Sequence, residues 1–247
     1  MPQAVAAIPA RYGSSRLPGK PLLDLGGRPM VEHVYRRAAA ARGIARVVVL
    51  TDDERIAAAV RAFGGEVEIT PADCASGTDR IAWAARAWPE PIVVNVQGDE
   101  PLVDPGGIER LAAHLAAVPE DGMVTLAAAA GENDLSEPSV VKIVVDRQGY
   151  ALYFSRAPIP FPRNAEGAPV RRHLGLYGYR RETLLRLASL PPSPLEQRES
   201  LEQLRALENG IRIRVLDGAV PSPAVDTPED AARVARLVAG HEPERGS

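Results

Sequence analysis

Short, continuously apolar runs alternate along this chain with longer stretches in which apolar residues recur every three or four positions. The first pattern suits a strand buried on both faces, and the second an amphipathic helix. Ala4 to Ile8 reads as a first buried strand. Met30 to Arg42 then places Val31, Val34 and Ala38 at helical spacing, turns Arg36 and Arg37 outward, and is stopped by Gly43. Val47 to Leu50, within Arg46 to Thr51, suit a central parallel strand. Residues 53–63 look helical up to Gly64-Gly65, and a shorter third strand is expected at Glu66 to Thr70. A helix from about Asp79 to Trp88 and a fourth strand at Ile92 to Val96 complete the first half. The order β-α-β-α-β-α-β predicts a largely parallel sheet with helices on both faces.

After a helix near 106–117 the pattern turns to strands at 123–130, 140–146, 150–154 and 173–180, with Pro158, Pro160, Pro162 and Pro169 crowding the loop before the last. Helical periodicity returns at 181–189 and 195–208, followed by a strand at 211–216 and a helix at 228–239. No repeat, low-complexity tract or long linker separates these elements. The expectation is one domain over residues 1–247 with a strand-rich insertion at about 123–180, and a polar, frayed tail from His241 onward.

Composition narrows the classes. The chain is 45% hydrophobic and 25% charged, with a net charge of −3, which fits an ordinary folded protein and excludes extended disorder. A general nucleic-acid binder would be basic, so any site for a polyanion has to be local. The single Cys74 cannot form an internal disulfide and reads as a small packing residue in a reducing compartment. The longest apolar stretches, such as Met123 to Ala130, fall far short of the roughly 20 residues of a membrane helix. The run Ala4 to Ile8 has no basic residue before it and Pro9 directly after it, so it lacks the parts of a secretory signal, and a cytoplasmic location is expected.

The local polyanion site has a candidate in the loop after the first strand. Pro9 to Lys20 contains Arg11, Arg16 and Lys20, no acid, and Gly13 and Gly19, which permit close backbone approach. Ligands of open α/β sheets sit beyond the carboxyl ends of the strands, where this loop falls. It is not a Walker loop, because five residues separate Gly13 from Gly19 and Pro21 follows Lys20. No Gly-x-Gly occurs anywhere, which disfavours an ordinary dinucleotide-binding dehydrogenase. Read by composition alone, the loop could also be a solvated basic turn.

The stretch Ile8-Pro9-Ala10-Arg11 through Ser15-Arg16-Leu17-Pro18-Gly19-Lys20-Pro21-Leu22 resembles the nucleotide loop of the sugar-acid cytidylyltransferases. Six further segments agree with that family in order: Ser76 to Arg80, Asn95 to Pro101, Tyr150 to Pro158, His173 to Tyr179, Leu201 to Arg205 and Val225 to Asp230. The likeness covers nearly the whole chain. It implies a three-layer α/β/α domain with a mostly parallel, Rossmann-like sheet of the nucleotide-diphospho-sugar transferase type. It also implies a reaction in which the anomeric hydroxyl of a sugar acid attacks the α-phosphate of CTP and pyrophosphate leaves. The acid expected is 3-deoxy-manno-octulosonate, supplying activated sugar for lipopolysaccharide. An acylneuraminate or an amino-substituted octulosonate is the alternative substrate, and a non-catalytic nucleotide-binding regulator the alternative class.

Two anionic reactants need cations that hold them together and absorb charge on the leaving group. By resemblance Arg11 and Lys20 contact the phosphates, with Pro9, Ala10, Ser14 and Arg16 completing the nucleotide loop. Mg²⁺ is the expected cofactor, since carboxylates and phosphate oxygens are its natural ligands. Asp99 directly follows the fourth strand. Thr227 can act as N-cap of the last helix, with Pro228 at its first position and Asp230 completing a capping box, which leaves Asp226 for another task. The residues alone allow Asp226 to be a turn carboxylate, and the resemblance assigns it, with Asp99, to the metal. The hydroxyl-rich turn Ser76-Gly77-Thr78 reads as a helix cap, and by resemblance it joins Arg80 in the cytosine pocket, with Gln97 on nucleotide or sugar. Arg156, His173, Tyr177, Glu202 and Gln203 are assigned to the sugar acid in the same way. If 173–180 is a strand, His173 and Tyr177 share a face, while Glu202 and Gln203 could equally be the solvated side of a helix. Glu100 is expected outside the site.

The chain departs from the family pattern twice. Phe161-Pro162-Arg163-Asn164 lacks an Asp usual after the aromatic residue, and Ala224 stands where many relatives have Gly. Both bear on the sugar pocket. The family is usually dimeric, and the strand-rich insertion is the expected interface of a homodimer.

Overall fold

The structure, a computed structural model, describes residues 4–13, 17–131, 133–164 and 169–241. Strand β1 (Ala4–Pro9) leads into α1 (Met30–Ala39), β2 (Ile44–Thr51), α2 (Glu54–Ala62), β3 (Glu66–Ile69), α3 (Gly77–Ala85) and β4 (Ile92–Asn95). These strands pair in parallel in the order β3-β2-β1-β4. The chain winds outward from β1 to β3 and returns to β4 on the other side of β1. That reversal is a topological switch point, where the loops leaving β1 and β4 diverge and open a crevice.

The second half runs α4 (Pro105–Ala117), β5 (Met123–Ala129), β6 (Lys142–Val145), β7 (Ala151–Ser155), β8 (Arg171–Arg180), α5 (Arg181–Ala188), α6 (Pro194–Glu199), α7 (Gln203–Glu208), β9 (Arg214–Leu216) and α8 (Pro228–His241). The segment 123–180 is only in part an insertion. β8 lies between β4 and β5, antiparallel to both, and β5 pairs in parallel with β9, so two of its four strands belong to the main sheet. Only the β6–β7 hairpin sits off that path, attached to β8 through β6.

Alternation along the strands divides the core into two layers. Ala4, Ala6 and Ile8 of β1 face Val31 and Val34 of α1 and Ile108, Leu111 and Leu115 of α4. Val5 and Ala7 face Ile81 and Ala84 of α3, Leu184 of α5 and Leu204 of α7. A third cluster, Leu25, Met30, Val225, Val234 and Val238, docks α8 beside the start of α1.

The continuous helix expected over 195–208 is two helices. Ser200, with φ 53°, is left-handed, and Leu201 behind it is buried at 5% exposure. Burying Leu201 turns the chain out of α6 and restarts it as α7 with Glu202 at its N-terminal boundary.

Lys142 of β6 has no exposed surface, yet its Nζ donates to the carbonyls of Glu137 at 3.0 Å, Val140 at 2.7 Å and Arg156 at 2.6 Å. Burial holds its pKa below that of an ordinary lysine. The ammonium fastens the approach to β6 and the exit of β7 to one point. Glu137 O also accepts from Val140 N at 3.2 Å, so replacing the lysine strips this donor from the carbonyls of Val140 and Arg156, at about 1–3 kcal/mol for an unsatisfied buried group. Lys142→Met is therefore expected to lower unfolding free energy by at least ~2 kcal/mol in urea denaturation; an unchanged midpoint would contradict this role.

Candidate active site

The crevice is built from three stretches of chain. The first leaves β1, where Ala10 N bonds Leu50 O at 2.8 Å and keeps the start of the loop on the sheet edge. The loop closes at its neck, with Gly19 N donating to Tyr12 O at 3.0 Å, and Gly19 adopts φ 72°, a left-handed value that favours glycine. A 3₁₀ turn, Lys20–Leu22, follows at once, with Pro21 pre-set for its first turn. The second stretch, Gln97 to Asp99, leaves β4. A Cβ on Gly98 would lie 2.8 Å from Pro9 O, so only glycine lets this turn lie against the end of β1. The third is Val225-Asp226, tied to the second by Val225 N donating to Asp99 O at 2.9 Å.

These supports bring three charges together. Lys20 Nζ lies 2.8 Å from Asp99 Oδ2 and 3.1 Å from Asp226 Oδ1. The capping box at the start of α8 is present: Asp230 N donates to Thr227 Oγ1 at 3.2 Å and Thr227 N to Asp230 Oδ2 at 3.1 Å. Capping is thus carried by Thr227 and Asp230, while the Asp226 carboxylate reaches Lys20.

Around this cluster lies a cavity of 460 Å³. Pro9, Ala10, Arg11, Lys20, Ser76, Gly77, Arg80, Gln97, Asp99 and Asp226 all line it. Ser14 and Arg16 lie outside the described residues. Arg80 is 4% exposed, and its guanidinium donates to Thr70 Oγ1 and pairs with Asp52 Oδ1 at 3.3 Å. It forms a fixed cationic wall. Ser76 caps α3, accepting from Asp79 N at 3.1 Å.

A smaller recess of 110 Å³ adjoins the cavity, sharing Pro9, Gly77 and Gln97 and adding Thr78, Asn95, Tyr177 and Glu202. Ser76 Oγ lies 2.9 Å from Glu202 Oε1 and Thr78 Oγ1 2.5 Å from Oε2, so the helix break at Ser200 delivers this carboxylate to the N-terminus of α3. Gln97 Nε2 donates to Gly175 O at 3.1 Å. The Tyr177 hydroxyl is buried and makes no close hydrogen bond among the described residues.

His173 and Tyr177 do share a face, through a register shift. Thr125 and Leu126 of β5 pair with Tyr177 and Leu174, so two residues of β8 bulge between them. Residues four apart in a regular strand lie about 13 Å apart; here the rings are 5.3 Å apart. Thr125 Oγ1 donates to Leu176 O at 2.8 Å and lies 3.0 Å from His173 Nε2. Burial pushes the His173 pKa down to about 3, so the ring is neutral.

Three sugar-side expectations are placed differently from Tyr177 and Glu202. His173 stands behind Tyr177 and lines neither concavity. Gln203 is 7% exposed within α7, not on a solvated helix face. Arg156 donates to main-chain carbonyls, to Glu199 O at 2.9 Å, Pro138 O at 3.1 Å and Ser200 O at 3.4 Å. Thr78, the last residue of the hydroxyl-rich turn, lines the recess, and so does Asn95, to which the sequence reading gave no role. Asn95, a buried amide closing an otherwise apolar strand, carried the legible signal.

A cationic loop after β1, facing carboxylates after β4 and before α8 across a switch-point crevice, defines an α/β nucleotide-binding domain built for a polyphosphate. The chain belongs to the cytidylyltransferase family, whose pattern it matches over residues 5–213. It is 49% identical to the 3-deoxy-manno-octulosonate cytidylyltransferase of Escherichia coli over 97% of each chain. It is also 51% identical to the 8-amino-3,8-dideoxy-manno-octulosonate cytidylyltransferase of Shewanella piezotolerans, over 90% of this chain and 93% of that one. A solved structure of CMP:2-keto-3-deoxy-manno-octonic acid synthetase complexed with CTP superposes with a TM-score of 0.94 at 48% identity, covering 97% of this chain and 100% of the other.

Glu100 adjoins the cluster without lining the cavity. Burial, together with the Asp99 charge, raises its pKa from 4.5 to about 8. The folded protein therefore holds a proton at neutral pH that the unfolded chain releases. Above pH 4.5 the unfolded state binds fewer protons, so this group lowers stability as pH rises towards about 8. Urea denaturation of the protein at pH 5 and pH 8, without nucleotide or metal, is expected to show a larger loss for wild type than for Glu100→Gln. Equal losses would contradict the shift.

Proposed function

We propose that this chain couples CTP to 3-deoxy-manno-octulosonate, giving the CMP-sugar and pyrophosphate, in an Mg²⁺-dependent reaction that supplies lipopolysaccharide synthesis. The observation that carries the reading is the meeting of Lys20 with Asp99 and Asp226 at the mouth of a cavity lined by Arg11 and Arg80. The CTP named with the similar synthetase structure supplies the nucleotide, and the names of the relatives supply the acid.

In this reading the anomeric hydroxyl attacks the α-phosphorus, the bond to the bridging oxygen breaks, and pyrophosphate departs. Lys20 has three N–H donors, of which two reach carboxylates, so one remains for phosphate oxygen. Arg11, and by resemblance Ser14 and Arg16, would add donors along the triphosphate. Removing one preorganised donor of this kind costs about 3–4 kcal/mol of transition-state stabilisation. Ser76, Gly77 and Arg80 would bound the cytosine. Gln97, Tyr177 and Glu202 would face the sugar acid in the smaller recess, with His173, Gln203 and Arg156 supporting them by family position.

Asp99 and Asp226 suit Mg²⁺, which is commonly held by one or two carboxylates plus substrate phosphates. Both already turn oxygens towards a single cation, the Lys20 ammonium. When bound, the metal would neutralise phosphate charge and orient the reacting groups.

A homodimer and a cytoplasmic setting belong to the same proposal. Leu152 of β7 and Phe161 after it, exposed at 60% and 82%, supply apolar surface near the hairpin. No helix among the described residues is long and apolar enough to cross a membrane.

The test is pyrophosphate release with CTP, UTP, ATP and GTP against the octulosonate, its 8-amino analogue and N-acetylneuraminate, with and without Mg²⁺. Turnover is expected with CTP and the octulosonate, at least ~100-fold above ATP or GTP, and only with Mg²⁺. Preference for the 8-amino acid would reassign the substrate. CTP binding with no pyrophosphate from any acid would overturn the reading in favour of a regulator.

A further inference from the structure

Tyr12 has no part in the chemistry described above, yet it joins the first loop to the rest of the molecule. Its carbonyl accepts from Gly19 N at 3.0 Å, closing the neck of the loop immediately before Lys20. Its ring lies against Gly19, where a Cβ would stand 3.2 Å from Cε2, Cζ and the hydroxyl. The guanidinium of Arg55 lies over the same ring, 3.3 Å from its centroid. Arg55 is in turn held by Asp53, through Nε to Oδ1 at 2.9 Å and a terminal nitrogen to Oδ2 at 2.6 Å. Asp53 is the N-cap of α2, just beyond β2.

A continuous line of contacts thus runs from the end of β2 through Asp53, Arg55 and Tyr12 to Gly19. The next residue is Lys20, whose Nζ must reach Asp99 and Asp226 together. We propose that Tyr12 is a positioning residue for Lys20, its ring stacked under Arg55 and against Gly19 fixing where the lysine enters the site. The proposal rests on the phosphate-binding role given to Lys20 above. The ring, not the hydroxyl, makes the contact with Arg55, so the planar surface is what matters. A misplacement of about 1 Å in a catalytic group can cost ~100-fold in rate, which is the scale on which such a support acts.

The experiment measures pyrophosphate release and, separately, calorimetric binding of CTP with Mg²⁺, for wild type, Tyr12→Ala, Tyr12→Phe, Arg55→Gln and Lys20→Ala, and for Tyr12→Ala and Arg55→Gln each combined with Lys20→Ala. Tyr12→Ala is expected to lose roughly 10- to 100-fold in kcat/KM for CTP and to weaken CTP binding, while Tyr12→Phe stays close to wild type. Arg55→Gln, which keeps the loop sequence intact, is expected to lose less and to serve where Tyr12→Ala melts early. Neither change should weaken CTP binding further once Lys20 is Ala, because a support has no effect without the group it supports. Losses of full size on the Lys20→Ala background, no rescue by Phe, or an unchanged Tyr12→Ala would overturn the role. If wild type releases no pyrophosphate, the catalytic reading fails, and the binding measurements still decide the role of Tyr12.

Discussion

One ammonium between two carboxylates governs this structure. Lys20 is 79 positions from Asp99 and 206 from Asp226, and its Nζ bonds both. Each carboxylate repels the other, and the cation offsets that repulsion. The same electrostatics suit the place to a second cation and a string of phosphate oxygens, for which local charges of both signs are needed in a chain of net charge −3.

The fold exists around that meeting. Reversal of strand order at β1 and β4 opens the crevice, and Gly98 lets the loop after β4 lie directly on Pro9. The bond from Val225 N to Asp99 O fixes the two acidic segments to each other, while the capping pair Thr227 and Asp230 satisfies the α8 terminus without Asp226. At the smaller recess, the break at Ser200 and the bulge in β8 perform the same service, turning Glu202 to the α3 terminus and bringing the His173 ring against Tyr177 at a 48° tilt.

Much of this could be read from the chain. Alternating apolar runs gave the strands and helices of the first half, and a loop with three cations and no acid marked the crevice, because both signals are local. The second half was harder. β5, β8 and β9 pair across long intervals of sequence, and no local pattern tells that β8 enters the main sheet while β6 and β7 remain outside it. The helical period of 195–208 gave no sign of a break, because it is burial of Leu201 in tertiary contact that overrides it. Arg156 was assigned to the sugar by family position, and three of its donors go to main-chain carbonyls that its spacing in the sequence does not announce. An arginine's partners depend on where loops from elsewhere end, which spacing does not encode.

Co-crystallisation with CTP and Mn²⁺, with the metal located by its anomalous scattering, tests the central claim most directly. The account predicts a metal peak within coordination distance of both the Asp99 and Asp226 carboxylates and of a phosphate oxygen, with Lys20 Nζ on the triphosphate. A metal held away from either carboxylate, with Lys20 still paired to both acids and touching no phosphate, would contradict it.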